Sequence, residues 1–250
     1  MRLSVIIITR DEEADLPECL DSVRPLGAEI VVLDDASTDK TLEIARGRGC
    51  SVTAHPFKDY ASQKQAALER ASGEWVLSID ADERVTPGLA KEVLEVLASE
   101  PEPRAFEVPF EVVFMGRTLR FGGLGGEHHV RLFRRDSARF VGGLVHEGVE
   151  VRGPVGWLRS SIRHIPYRDL DEYLAKMSVY TSNAARKRRA QGRRFHAWHH
   201  LLPFWEFLQR AVLRGGLLDG TPGIVYAGLS SFHTWLKYLK LRELDRGSDG

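Results

Sequence analysis

Ile79-Asp80-Ala81-Asp82-Glu83 places three carboxylates immediately after an apolar run, Trp75 to Ile79. Like charges at that spacing repel, and a hard divalent cation with oxygen ligands is the usual relief. A solvated acidic loop ahead of a helix start at Thr86-Pro87 is the plainer alternative, and the triplet alone leaves both open. In an extended segment Asp80 and Asp82 would face one way. A second acidic pair, Asp34-Asp35, ends Val31-Val32-Leu33, where carboxylates can accept hydrogen bonds from a base or from ribose hydroxyls. The competing account is a solvated turn capped by Ser37 or Asp39. A third group, Thr9-Arg10-Asp11-Glu12-Glu13, comes after Leu3 to Ile8, and its acids would equally suit a helix N-terminus.

All three groups come after short β-branched runs, and each is succeeded by a helical pattern. Leu16, Leu20 and Val23 recur at helical spacing after the first, and a helix through Arg46 succeeds the second. Tyr60 to Ala71 is a further helix, and Thr86 caps one that opens on Pro87. Strands alternating with helices over about 100 residues imply an α/β fold with a mostly parallel sheet covered on both faces. In such sheets ligands bind beyond the carboxyl ends of the strands, where the acidic groups fall. From Arg104 the rhythm changes to strand-like pieces over 105–114, 129–134, 147–151 and 161–165. Gly122-Gly123-Leu124-Gly125-Gly126 between them is expected to be a mobile loop. A long helix is expected over 169–190, then helices over 195–242 broken at Gly215-Gly216 and at Gly220-Thr221-Pro222-Gly223.

The chain has 250 residues, 43% hydrophobic and 28% charged, with 35 basic and 35 acidic side chains. That composition fits a globular protein and excludes a disordered or collagen-like one. Neutrality is a cancellation: residues 1–103 hold 11 basic and 21 acidic residues, and residues 152–214 hold 13 and 4. An acidic front that binds an anion needs a cation to help it, and a basic later segment suits phosphate or an anionic surface. Cys19 and Cys50 fit neither a disulfide scaffold nor a zinc pattern, and are expected to be idle thiols of a reducing compartment. The apolar start, Val5 to Ile8, is shorter than a signal-peptide core, and no run is long enough to span a bilayer. The expected location is the cytoplasm, or the inner face of the cytoplasmic membrane without crossing it.

Ser4 to Glu12, Val32 to Asp39 and Ile79 to Glu83, taken in order, resemble the three nucleotide-sugar motifs of family 2 glycosyltransferases with the GT-A fold. Val130-Arg131-Leu132-Phe133-Arg134, Val145-His146-Glu147 and His164 with Tyr167 after it are similar to acceptor-side motifs of the subgroup that includes lipopolysaccharide core β-1,4-glucosyltransferases. Gly216 to Gly220 and Lys237 to Leu241 resemble that subgroup's C-terminal segment, so the likeness covers nearly the whole chain.

The resemblance implies a GT-A catalytic domain over 1–168, with a nucleotide-sugar part (1–103) and an acceptor part (104–168), then a helical segment over 169–250. It implies that Thr9, Arg10 and Glu12 line the nucleotide pocket and that Asp35, with Asp34 beside it, binds the uracil and ribose edge. Lys64 would approach the base or diphosphate. Asp80 and Asp82 form the DxD pair, with Asp82 on a Mg2+ or Mn2+ ion, His164 as a further ligand, and Asp80 towards the ribose or a metal-bound water. Asp11 departs from the pattern, since many relatives carry Asn there. Glu147 would be the base that takes the acceptor proton. The implied reaction is inverting, metal-dependent transfer of a hexose, glucose favoured, from a UDP-sugar to a hydroxyl of a glycan or glycolipid such as lipopolysaccharide core.

Arg131 and Arg134, three apart in a strand, point to opposite faces, so one of them would meet acceptor or diphosphate. Glu127-His128-His129 lacks a spaced third zinc ligand, and adjacent histidines on a strand diverge. Arg186-Lys187-Arg188-Arg189 and Arg193-Arg194 stand beside Phe195, Trp198, Phe204, Trp205 and Phe207, a composition suited to an anionic membrane surface, although the aromatics could equally pack onto the core. No nucleic-acid partner is expected, because no such motif accompanies the basic clusters. The rivals are a nucleotidyltransferase, which would normally bring a basic, Gly-rich loop after the first strand, and a catalytically silent membrane-binding module of the same fold.

Overall fold

The computed structural model describes residues 2–142 and 147–246, with the backbone alone at Glu147. The elements, in order, are β1 (Leu3–Thr9), α1 (Leu16–Val23), β2 (Glu29–Asp34), α2 (Thr41–Gly47), β3 (Ser51–Ala54), α3 (Tyr60–Arg70), β4 (Trp75–Asp80), β5 (Glu83–Val85), α4 (Pro87–Ser99), β6 (Ala105–Phe114) and β7 (Arg117–Leu119). β8 (His128–Arg134), β9 (Ala138–Gly142), β10 (Glu147–Val151), β11 (Val155–Trp157), β12 (Ile162–His164), α5 (Leu170–Ala190), α6 (Leu202–Leu208) and α7 (Thr221–Arg246) complete them. The chain divides into two compact units, one of residues 1–110 and 126–164, the other of 111–125 and 165–250.

In the first unit the main sheet runs β3-β2-β1-β4-β8-β6-β12-β5. β1, β2, β3 and β4 are mutually parallel where they pair, while β8 is antiparallel to both β4 and β6. The expected α/β architecture, a mostly parallel sheet flanked by helices, is observed. The position of β1 explains why its sequence is a continuous apolar run rather than an alternation. Val5 and Ile7 pack with Leu16, Leu20 and Val23 of α1 and Leu89 and Val93 of α4, whereas Ile6 joins Ala67 and Leu68 of α3. Both faces of the strand are therefore buried. Gly73 lies so close to β1 that a Cβ there would come 2.6 Å from the Ser4 backbone nitrogen, and its own N–H donates to Ser4 Oγ at 2.8 Å.

Local hydrogen bonds fix two of the helix starts. Asp59 and Ser62 form a reciprocal capping box at α3, and Thr86 Oγ1 accepts from Leu89 N–H at α4. Helix α2 begins later than the sequence implies, at Thr41, because Asp39 accepts from the Thr41 N–H and hydroxyl instead of capping at 37–39. Cys19 and Cys50 are free thiols with no disulfide, and burial pushes Cys50 up to about 11.

The second unit is mainly helical, built on α5 and α7. Asp169 caps α5 by accepting from Glu172 N–H, and Tyr173 and Met177 pack with Val112, Phe114, Leu119 and Leu124. The glycine-rich loop at 122–126 is fastened rather than loose. Gly122 N–H donates to the Arg214 carbonyl at 2.8 Å, Arg210 Nη1 to the Gly122 carbonyl at 3.1 Å, and Leu124 is buried. The buried Asp219 carboxylate accepts from the N–H groups of Arg120 and Phe121 just before it. Composition suggests mobility because glycine is permissive, but these partners lie some 90 residues away in sequence and are invisible locally.

Candidate active site

The strand register brings the three acidic groups to one edge. Thr9 of β1 stands opposite Asp34 of β2, and Ile8 stands opposite Asp80 of β4. Because the strands are parallel, their carboxyl ends meet at one level, which is where ligands bind in such sheets.

On the β2 side, Asp34 is fully buried. Thr9 Oγ1 donates to its Oδ1 at 2.9 Å, Ser37 Oγ to the same oxygen at 2.5 Å, and Ser37 N–H to Oδ2 at 2.9 Å. Asp34, expected at the uracil and ribose edge, is thus engaged in building the turn. Asp35 is nearer the surface, taking Arg10 Nη1 at 2.8 Å on one oxygen and the Phe57 N–H at 3.0 Å on the other. Asp11 adopts a left-handed φ of 54°, a conformation to which Asn is better suited than most residues, and its Oδ1 accepts from Thr38 N–H at 2.7 Å. Glu12 sits at the entry to α1, its N–H donating to Thr41 Oγ1 and its carbonyl accepting from Asp15 and Leu16.

On the β4 side, a tight turn at Ala81-Asp82 separates Asp80 from β5, so the pair does not alternate along an extended segment. The two carboxylates have different partners. Asp80 receives Lys64 Nζ at 2.8 Å and Arg131 Nη2 at 3.2 Å. Burial raises the Asp80 carboxyl, but Lys64 and Arg131 outweigh it and hold it well below the usual carboxylate range. Asp82 Oδ2 instead lies 3.2 Å from His164 Nε2. Burial lowers His164, yet the hydrogen bond and charge of Asp82 reverse this and raise it. β12 delivers that histidine because it pairs antiparallel with β5, His164 opposite Glu83.

Glu83, which the sequence groups with the loop acids, is buried and takes part in this cluster. Its Oε1 accepts from Arg131 Nη2 at 2.6 Å and its Oε2 from the Asp80 N–H at 2.9 Å. Arg84 Nη1 reaches the carbonyls of Ala81 and Glu83, fixing the turn from behind. Phe110 belongs to the site although no motif contains it: its ring meets His129 edge-on at 5.0 Å and His164 at 6.2 Å, with the Arg131 guanidinium 5.1 Å from its centroid. Only alternation along β6 hints that Phe110 faces inward. His128 turns the other way, against Trp157, and Arg134 pairs with Glu74, so the divergence expected along β8 is present.

Two expected residues complete the set. Lys64, almost wholly buried on α3, points to Asp80. Glu147 begins β10, opposite Gly142 of β9, but its side chain lies outside the described residues, as does His146. Among the described residues no three His, Cys, Asp or Glu side chains converge as a ready metal cage. Asp82 and His164 supply one hard oxygen and one imidazole nitrogen, a donor pair compatible with Mg2+ or Mn2+ only if a ligand provides the remaining oxygens.

Sequence comparison decides the family: the family model described as Glycosyl transferase family 2 matches residues 4–146, more than half of the chain. The chain belongs to glycosyltransferase family 2. As a family 2 glycosyltransferase it is 30% identical to the lipopolysaccharide core biosynthesis glycosyltransferase LpsC of Rhizobium meliloti, over 96% of this chain and 94% of that one. It is 28% identical to an uncharacterized glycosyltransferase of Rickettsia typhi, over 97% of this chain and 87% of that one. Among solved structures, S. aureus TarS 1-349 aligns over 99% of this chain and 92% of its own with TM-score 0.49 and 17% identity. Glucosyl-3-phosphoglycerate synthase from Mycobacterium tuberculosis aligns over 44% of each chain with TM-score 0.39 and 24% identity. The sheet described above is the GT-A arrangement expected of this glycosyltransferase.

Proposed function

We propose that this glycosyltransferase moves a hexose, glucose favoured, from a UDP-sugar to a hydroxyl of a glycan or glycolipid such as lipopolysaccharide core, with inversion at the anomeric carbon. The observation that carries the reading is the alignment of Thr9, Asp34 and Asp80 at the ends of three adjacent parallel strands, with the Asp82–His164 pair beside them. The LpsC relative, named for lipopolysaccharide core biosynthesis, supports the acceptor class.

Asp35, steadied by Arg10, would accept hydrogen bonds from the uracil or ribose, while Thr9, Arg10 and Glu12 wall the nucleotide pocket. Asp34 would hold the turn that presents Asp35. Asp82 and His164 would hold a Mg2+ or Mn2+ ion, which supplies charge neutralisation for a departing diphosphate when bound. Lys64 and Arg131 hold Asp80 ionised, and either cation can exchange that carboxylate for a phosphate oxygen as the donor arrives. On the opposite side of the sugar, Glu147 would take the acceptor hydroxyl proton, because a neutral alcohol is a weak nucleophile.

Calorimetry tests the donor half. UDP should bind in the presence of Mn2+, and Asp82→Asn should lose the metal-dependent part while keeping its fold. No uptake of UDP or of any UDP-sugar by folded protein with Mn2+ or Mg2+ present would end the proposal.

A further inference from the structure

The helical unit turns an apolar helix face to solvent. Phe204 is 76% exposed, Leu201 67%, Leu213 63% and Trp205 53%, and Leu208 and Val212 continue the same row. Spaced three and four apart through α6 and the π-helical turn after it, these side chains form one stripe, while Pro203 and Ala211 on the other side are buried. A surface helix ordinarily shows its polar residues to water, and here the order is reversed. Only Glu206, Gln209 and Arg210 interrupt the apolar composition of 201–213, and Glu206 is paired with Arg210 at 2.6 Å. Leu217 and Leu218 extend the exposed surface from the next turn. The segment is about 20 Å long at ~1.5 Å per residue, too short to cross a bilayer. Among the described residues no helix is long and apolar enough to do so.

Charge indicates what covers the stripe. Between 186 and 218 the sequence carries eight Arg and Lys against one acid, Glu206, and Arg186, Lys187, Arg193, Arg194 and Arg214 are exposed. A second copy would bring the same excess of positive charge to a self-complementary contact and be repelled. A phospholipid headgroup layer offers the complement: anionic phosphates for the arginines and an apolar margin for leucine and phenylalanine. Trp198 and Trp205, amphipathic and exposed, suit that margin.

We propose that the surface over 198–218 lies in the headgroup zone of an anionic bilayer, its aromatic and leucine side chains inserted and its flanking arginines on lipid phosphate. This rests on the helical unit alone and not on the transferase reading, so either can fail without the other.

Sedimentation of the full chain with vesicles tests it, comparing an equal mixture of phosphatidylcholine and phosphatidylglycerol with phosphatidylcholine alone. The expected result is binding to the anionic vesicles that weakens as salt rises, at least tenfold weaker for Phe204→Ser/Trp205→Ser, and weaker for Arg186→Ser/Arg193→Ser at low salt. Tryptophan quenching by brominated lipid should fall in Trp205→Phe, a variant that leaves the volume nearly intact. Wild-type protein that stays in the supernatant at low salt, or that binds neutral vesicles as well as anionic ones, overturns the proposal. So does vesicle binding unchanged in the Phe204/Trp205 variant while its mass in solution falls, which would assign the stripe to contacts between copies.

Discussion

Arg131 Nη2 lies 2.6 Å from Glu83 Oε1, and the same nitrogen lies 3.2 Å from Asp80 Oδ2. One guanidinium thus serves two carboxylates where the chain turns from β4 into β5. Arg131→Met would leave Glu83, which is buried, without its cation, and Asp80 with Lys64 alone. Removing one member of a buried pair costs about 3 kcal/mol. The urea midpoint should fall accordingly at unchanged slope, and transfer should be lost with it. An unfolding free energy within about 0.5 kcal/mol of wild type would show that the cluster does not hold the turn.

Glu147→Gln keeps the size of the side chain and removes its basicity. Transfer to a verified acceptor should drop by ~10²-fold or more, with UDP binding retained. Unchanged turnover would take Glu147 out of the reaction.

Acid stability should depend on Glu172. Its carboxylate is 18% exposed, takes Lys176 Nζ at 2.9 Å and Arg168 Nε at 3.1 Å, and accepts from the Arg168 N–H. Burial raises it, but the Arg168 N–H and the two cations prevail and lower it from 4.5 to about 2. A depressed folded value means that the stabilisation is complete above the unfolded value and is lost as pH falls towards about 2. Because the partners are themselves partly solvated, about 1 kcal/mol is expected rather than the full linkage value. Glu172→Gln should be less stable than wild type by that amount at pH 6, and the gap should close as the pH is lowered; a constant gap would locate its cause elsewhere.

Gly223 opens α7 where it meets the preceding turn. A Cβ there would come 2.0 Å from the Gly216 carbonyl oxygen and 2.8 Å from Asp219 Cβ. Gly223→Ala should therefore destabilise by about 3 kcal/mol, near the upper end for overpacking, as a thermal melt would report. Gly228→Ala in the same helix meets nothing within 4 Å and is the control, expected to be neutral or stabilising.

The three motif groups are legible because parallel strands buried on both faces write themselves as apolar runs, and the residues next after such a run lie at the ligand edge. Ile6 and Ile7 show why: neighbours in sequence, they serve opposite layers, so neither can be polar. The cap at Thr86 is legible for a different reason, since capping is decided within a few residues. The fate of single carboxylates is not legible. Glu83 and Asp82 are adjacent, yet one is buried on Arg131, 48 positions away, and the other faces His164, 82 positions away. Burial of Lys64 depends in the same way on Asp80 from another element. A charge repeated at short spacing announces an electrostatic problem; which distant group resolves it is decided by the folded sheet.

Asp34 takes its hydrogen bonds from Thr9 and Ser37, both groups of the chain itself. The crossing from β2 towards α2 therefore has its shape before any nucleotide arrives. On the proposed reading, a base docking there would meet a surface that needs no ordering, so the entropy of loop fixation would be absent from the donor's affinity. Replacement of the Ser37 hydroxyl would reintroduce it and slow productive encounters, even though Ser37 need never touch the sugar.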